Sequence, residues 1–402
     1  MVYRGRPFGC VVAASALLAV AACGGHHAAT AVSHSAVAGR SAGWTRLAIA
    51  GHVRDIAGPG RYGSEAVAVG VDRDGRPMVV TMTGTVARKL ACSFRSSAAH
   101  DGLASVGTDW ENTAVVTRAR PGTGEQPEIW WSAPEISALG TSCSATRDAL
   151  PRDRAGVRPV WIEPLADGEE DYRFVGVVPD PGAPRTGGAV HVWDGGLRPA
   201  PIESSPLYVQ RNPYAPELLV GTTETTVDVA GSLSRDRADP GAPSLWEIEM
   251  PLDERAVSKW QRIPLRPAPD VITDIAYWEL GEWVAAARQR RPVVYDFDRG
   301  TGTMPVPDTR LDARHPTVLI GAAEPDHGPA LLATQSVDGP TAWLRTGTGY
   351  RRIPAPRGHL EDATMSGHRL YLLVDGAVWT RALPPPSWPS AQDVGEASRA
   401  AG

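Results

Sequence analysis

From Trp44 to about Leu383 the apolar residues come in short runs separated by Gly, Pro and Asp. Ala66-Val67-Ala68-Val69-Gly70-Val71, Met78-Val79-Val80-Thr81, Val115-Val116-Thr117 and Val293-Val294-Tyr295 are short, rich in β-branched residues and bounded by turn formers. Runs of this kind predict β-strands. No stretch carries the apolar period of a capped amphipathic helix. The best helical candidate, Trp283-Val284-Ala285-Ala286-Ala287-Arg288, lies between a Gly281-Glu282 turn and Arg291-Pro292, so it too reads as a strand.

The strand runs recur with a period. Gly51-His52-Val53-Arg54-Asp55 returns as Gly358-His359-Leu360-Glu361-Asp362, and Val53-Arg54-Asp55-Ile56-Ala57 matches the end of Val271-Ile272-Thr273-Asp274-Ile275-Ala276. The aspartates in these copies are spaced by close to five and two units of about 44 residues. Asp180-Pro181-Gly182-Ala183-Pro184 returns as Asp239-Pro240-Gly241-Ala242-Pro243, and aromatic strands recur at Trp130, Trp193, Trp246, Tyr295, Trp343 and Trp379. A period in the forties with four short strands per unit predicts an all-β β-propeller. One such sheet cannot cover both its apolar faces, and stacking sheets around an axis does. Strand-run ends near Leu90, Ala133, Gly196, Met250, Asp298, Thr346 and Leu383 predict seven blades of four strands, although long loops leave six or eight open. Two β-sandwiches are the rival architecture, but no linker-like break separates residues 44 and 383.

The two ends of the pattern fit each other. Trp44-Thr45-Arg46-Leu47-Ala48-Ile49 precedes Gly51-His52 just as Tyr350-Arg351-Arg352-Ile353-Pro354 precedes Gly358-His359. The last unit, by contrast, runs out after Trp379. The N-terminal strand is therefore expected to close the last blade. Pro384-Pro385-Pro386 cannot pair inside a sheet, and residues 384–402 read as a disordered tail.

Ahead of the strands lies a different chemistry. Arg4 and Arg6 precede an apolar run from Val11 that is too short to span a bilayer, and small residues lead to Cys23. Val20-Ala21-Ala22-Cys23 resembles the lipobox of bacterial lipoproteins of the actinobacterial type. That resemblance implies a signal peptide over 1–22, a diacylated Cys23 at the new N-terminus, and a place on the outer face of the cell membrane. Residues 23–43, with His26, His27 and His34, read as a flexible tether, which leaves 44–383 as the propeller.

Composition narrows the function. The formal charge is −5, which argues against a nucleic-acid partner. All basic residues except Lys89 and Lys259 are arginine. The 42 Gly and 36 Pro fit many short strands and turns. With Cys10 removed and Cys23 lipidated, Cys92 and Cys143 remain as a pair in an oxidising compartment, so a disulfide is expected. There is no CxxC, no Cys/His cluster, no Gly-x-Ser-x-Gly, no phosphate loop and no dinucleotide fingerprint, so neither a metal nor a cofactor is expected.

The candidate chemistry is modest. His52, Asp55, Asp274, His359 and Asp362 begin the first strands of their units, which in a propeller line the central channel. Gathered at its mouth they offer acid–base groups or ligand contacts. Their recurrence also fits a structural role in which each Asp accepts backbone N–H bonds. Arg288, Arg290 and Arg291 form a basic knot that could hold an anionic glycan or phosphate, although a solvated hairpin tip is the simpler reading. Asp72-Arg73-Asp74-Gly75 lacks the full set of calcium ligands and reads as a type I′ hairpin turn. Trp130, Trp131, Tyr277, Trp278 and Trp283 offer stacking faces for sugars, although strand alternation sends about half of such a set into the core.

The Gly-His dipeptides, with an Asp three residues beyond each His, resemble WD-repeat propellers, in which such residues tie a loop to a strand. The Trp-Asp ending of those repeats is missing here. Ser336 to Trp343 resembles in part the Asp-box turn of sialidase-like propellers, with its Gly and Thr displaced, and is read as a hairpin. The expected function is a monomeric, lipid-anchored binding or scaffolding module for a protein, peptide or cell-wall glycan. The alternative is a glycoside hydrolase or lyase acting at the channel mouth. Function is expected on the face carrying the loops at 179–188 and 234–243.

Overall fold

The structure, a computed structural model, describes residues 40–41, 43–58, 66–92, 103–108, 113–117, 128–132, 142–143, 145–148, 150–153, 155–166, 172–179, 187–194, 197–200, 206–209, 218–222, 226–236, 241–250, 258–278, 281–296, 302–324, 328–346, 349–366 and 368–383. The chain divides into Met1–Ser35 and Ala36–Gly402, and every strand lies in the second unit. Cys23, the tether histidines and the tail from residue 384 lie outside the described residues. Among the described residues there is no helix, and so none long and apolar enough to cross a membrane.

Two short strands, β1 (Arg40–Ser41) and β2 (Trp44–Arg46), come first and pair with each other, so pairing starts inside the segment read as tether. The first four-stranded sheet is β3 (Gly51–Ala57), β4 (Ala66–Asp72), β5 (Pro77–Thr83) and β6 (Val86–Lys89). Then come β7 (Ala91–Cys92) and the second sheet: β8 (Leu103–Thr108), β9 (Thr113–Thr117), β10 (Glu128–Ser132) and, after β11 (Ser142–Cys143), β12 (Ala145–Asp148). The third is β13 (Trp161–Ala166), β14 (Tyr172–Pro179), β15 (Gly188–Trp193) and β16 (Leu207–Val209). The fourth is β17 (Leu218–Thr222), β18 (Thr226–Ser234), β19 (Ala242–Glu249) and β20 (Trp260–Ile263). The outer strand of the third sheet, β16, pairs with the end of β18, the second strand of the fourth, with Val209 opposite Leu233.

The fifth sheet is β21 (Val271–Trp278), β22 (Gly281–Arg288), β23 (Arg291–Asp296) and β24 (Gly302–Met304). The sixth is β25 (Val318–Glu324), β26 (Gly328–Ser336), β27 (Gly339–Thr346) and β28 (Gly349–Pro354). The last is β29 (Leu360–Ser366), β30 (Arg369–Val374) and β31 (Ala377–Ala382). Its outer place is taken by β2, with Thr45 opposite Thr380 and Arg46 opposite Trp379. The helical candidate at Trp283–Arg288 is a strand, as its flanking turns required.

The middle strands are buried along nearly their whole length, as in β4, β5 and β30. That is why they read as unbroken apolar runs: both faces of each sheet are covered by neighbours. Tyr371, Leu373 and Val378 of the last sheet pack with Val53, Ile56, Met78 and Met82 of the first. Trp44 packs with Leu344, Ile353, Leu360 and Leu372, and its indole N–H donates to the Pro354 carbonyl at 2.8 Å. Trp283 is in the core, so it is no sugar platform. Neighbouring first strands lie against one another in order: β3 on β8, β8 on β13, β13 on β17, β17 on β21, β21 on β25, β25 on β29, and β29 on β3. Repeated four-stranded antiparallel sheets stacked in this way have β-propeller character.

In each meander the hairpin between the second and third strands lies at the end where the first strand begins. The last sheet shows it directly: Asp375 N–H donates to the His359 carbonyl and Val53 N–H to the Gly376 carbonyl. One turn differs from its sequence reading. Gly75 has a φ of +76°, but Asp74 does not share the positive φ that a type I′ turn needs at both central residues. Gly75 N–H instead donates to the Asp72 carbonyl, and Asp72 N–H to that of Arg76, giving a three-residue turn with a left-handed glycine. Paired positive φ values occur at Gln289-Arg290 and Asp375-Gly376.

Candidate functional site

The first strands carry the recurring acids at a shared irregularity. A β-bulge falls between Val53 and Asp55, between Leu103 and Ser105, between Ile272 and Asp274, between Ile320 and Ala322, and between Leu360 and Asp362. A bulge re-aims the residue that follows it. Asp55, Asp274 and Asp362 all hold that position, as their recurrence in sequence suggested.

Each carboxylate is used on the backbone. Asp55 Oδ1 accepts Ile56 N–H at 3.0 Å, Asp274 Oδ1 accepts Ile275 N–H at 2.9 Å, and Asp362 Oδ1 accepts Ala363 N–H at 2.6 Å. The second oxygen crosses to a neighbouring sheet: Asp274 Oδ2 accepts Ile320 N–H at 2.6 Å, and Asp362 Oδ2 accepts Ile56 N–H at 3.1 Å. Asp55 and Asp362 also hydrogen-bond each other, which requires a shared proton. Burial, then repulsion by Asp55 and that bond, hold the Asp362 carboxyl well above the ordinary range. Burial pushes Asp274 up to about 7, against the Ile320 N–H and with help from the charge of Asp362.

His52 and His359 sit apart from this chemistry, against the hairpin of the last sheet. His359 N–H donates to Asp375 Oδ1 at 3.0 Å, and its ring lies 4.8 Å from that of His315. The His52 imidazole lies directly on Gly376, where an added Cβ would overlap the ring. In the basic knot, Arg290 donates to the Leu311 carbonyl at 3.1 Å and Arg291 pairs with Asp308, while Arg288 lies near Tyr295. Two of the three arginines thus hold the next crossover. Asp72 accepts from Asp74 N–H, Arg76 N–H and Lys89 Nζ, so its oxygens serve the turn.

Sequence reasoning missed two features. Other ties between sheets use Thr273, which donates to the Val318 carbonyl at 2.6 Å, and Gln335, which accepts Leu360 N–H at 2.8 Å. Their only sequence signal is a polar residue inside an apolar run. Second, Asp228, Glu247 and Glu282 bring carboxylate oxygens within 4.8 Å of one another, a donor set that suits a divalent cation. They lie toward the end of the sheets opposite the β18–β19 hairpin. Burial, then the charge of Glu249, raises the Glu247 carboxyl. Asp228 and Glu247 meet only through strand register, so their spacing along the chain gave no signal.

No protein-family model matches the chain, and no curated protein matches its sequence. Among solved structures the chain is similar to AztD from Citrobacter koseri, at 9% identity and a TM-score of 0.45 over 80% of each chain. It is similar to the β-propeller domain of Cps50 (Swd1) from Myceliophteria thermophila, at 10% identity and a TM-score of 0.47, over 83% of this chain and 97% of that one. It is also similar to BamB from Moraxella catarrhalis, at 14% identity and a TM-score of 0.38, over 82% and 84%.

Proposed function

We propose that the chain is an exported, lipid-anchored propeller of seven four-stranded blades, closed by β2, that serves as a binding or scaffolding module for a protein, peptide or cell-wall glycan. The observation that carries this reading is the use made of the inner-strand acids. Asp362 Oδ2 is held by Ile56 N–H and Asp274 Oδ2 by Ile320 N–H, each across a junction between sheets. Groups so engaged join blades and are poorly placed to transfer protons to a substrate. The Asp55–Asp362 contact argues the same way. A carboxyl that shares its proton with a neighbouring carboxyl holds that proton within the frame and away from a substrate.

A propeller offers a rigid frame on which loops bind. The face at which the first strands begin also carries the β14–β15 and β18–β19 hairpins, whose tips at 180–186 and 237–240 lie outside the described residues. This is the face assigned to the partner. The test is crosslinking in cells with the intact chain and with a variant in which both tips are replaced by short turns. A partner captured by the intact chain and lost from the variant, at equal melting temperature, is the expected result. Equal capture by both places the partner elsewhere.

A further inference from the structure

At the base of the β18–β19 hairpin lies a cavity of about 300 Å³, lined in part by Ser234, Arg235, Gly241, Trp246 and Arg262. We propose that it is an oxyanion site, taking the carboxylate or phosphate group of a small ligand. The inference goes beyond the binding-module reading and stands whether or not a macromolecule docks on this face.

Its floor is fixed. Trp246 is 8% exposed, and its indole N–H donates to Ser244 Oγ at 2.9 Å, which sets the plane of the ring. The Arg235 guanidinium lies 5.4 Å from the centre of that ring. A cation over an indole face is attracted by the ring quadrupole. Arg235 also donates to the Trp260 carbonyl. One edge of its planar fork is therefore anchored, and a fork held at one edge loses less freedom when it binds at the other.

A second cation stands beside it. Arg262 is the strand-register partner of Trp246, is exposed, and among the described residues makes no ion pair or hydrogen bond through its guanidinium. Among the described residues lining the cavity none is acidic. Two guanidinium groups at one cavity, with no carboxylate among its described lining residues, make a positive spot on a chain of net charge −5. The complement is an oxyanion, whose two oxygens match the fork. The lip is kept low by Gly241: its φ is +74°, and a Cβ there would lie 2.8 Å from the Leu233 backbone nitrogen. The volume is at the small end for ligand sites, which suits one anionic group with a short body and not a polymer.

The test is calorimetric titration of the full chain at low ionic strength with glutarate and, separately, with inorganic phosphate. At least one is expected to bind saturably at one site. Glutarate as the tighter probe assigns a carboxylate ligand, and phosphate as the tighter probe assigns a phosphate ester. Arg262→Gln, an exposed change expected to leave the melting temperature unmoved, should weaken that binding about tenfold or more, as should Arg235→Gln. Absence of saturable binding by both probes, or unchanged affinity in Arg262→Gln, overturns the proposal.

Discussion

Asp362, on the first strand of the last sheet, accepts the backbone N–H of Ile56, on the first strand of the first sheet, at 3.1 Å. Residues 306 positions apart are thus joined by one carboxylate oxygen, while the other oxygen holds Ala363 N–H within its own strand. Asp362→Ala takes the side-chain acceptor from Ala363 N–H and leaves Ile56 N–H with Asp55 alone, so the tie between the sheets is lost. Leaving a buried donor unsatisfied costs about 1–3 kcal/mol. The expected loss in urea denaturation is in that range or above it, with partner capture retained by the folded fraction. Stability within about 0.5 kcal/mol of the intact chain, the range of ordinary surface changes, would show that the bond does not join the sheets.

The raised carboxyl of Asp274 makes stability depend on pH with a defined sign. In the unfolded chain the group titrates near its ordinary value of 3.8, and in the folded chain near about 7. Between these values the folded state keeps a proton that the unfolded state releases. The contribution is therefore fully present below ~4 and is lost as pH rises to about 7. The urea midpoint should fall over that window, and Asp274→Asn should fall less steeply because its amide does not titrate. Parallel slopes for the two proteins would contradict the assignment.

Cys92 and Cys143 are register partners in the parallel pair of β7 and β11. Adjacent strands bring such partners within the Cα range a disulfide needs, ~4.4–6.8 Å. Peptide mapping under non-reducing conditions should recover the 92–143 link from protein exported by its host. Replacing both cysteines by serine should cost about 2–5 kcal/mol. Two free thiols in the exported protein would exclude the bond.

The proposed lipid anchor rests on Cys23. Cys23→Ala should leave the chain unprocessed or release it from the membrane fraction, since two acyl chains give stable attachment and none gives no anchor. Equal membrane retention of the variant would remove the lipoprotein assignment.

Much of the architecture was legible because a propeller repeats a short pattern. Middle strands buried on both faces had to be apolar throughout, so their boundaries stood out at Gly, Pro and Asp. Gly51-His52 and Gly358-His359 marked equivalent strand starts, and Trp44 marked an outer strand without a unit of its own. The turn at Asp74-Gly75 was misread because a dipeptide preference does not encode loop length: the Asp72 carboxylate stabilises a three-residue turn by accepting Asp74 and Arg76 N–H. The Asp228–Glu247–Glu282 cluster and the Arg235–Trp246–Arg262 cavity were invisible. Each depends on which residues face each other across strands, and register is set by tertiary packing. The recurring aspartates were visible as a set, but their use was not, because the neighbouring sheet supplies half of the donors.

Ring closure by the N-terminal strand is tested most directly by a cross-strand link. Thr45 of β2 lies opposite Thr380 of β31, and β2 pairs with no strand of the first sheet among the described residues. Thr45→Cys and Thr380→Cys, in a chain whose other cysteines are serine, should form a single disulfide on mild oxidation, identified by peptide mapping and accompanied by a higher melting temperature. Failure to form the 45–380 link while the double variant remains folded would contradict a propeller closed by its own N-terminal strand.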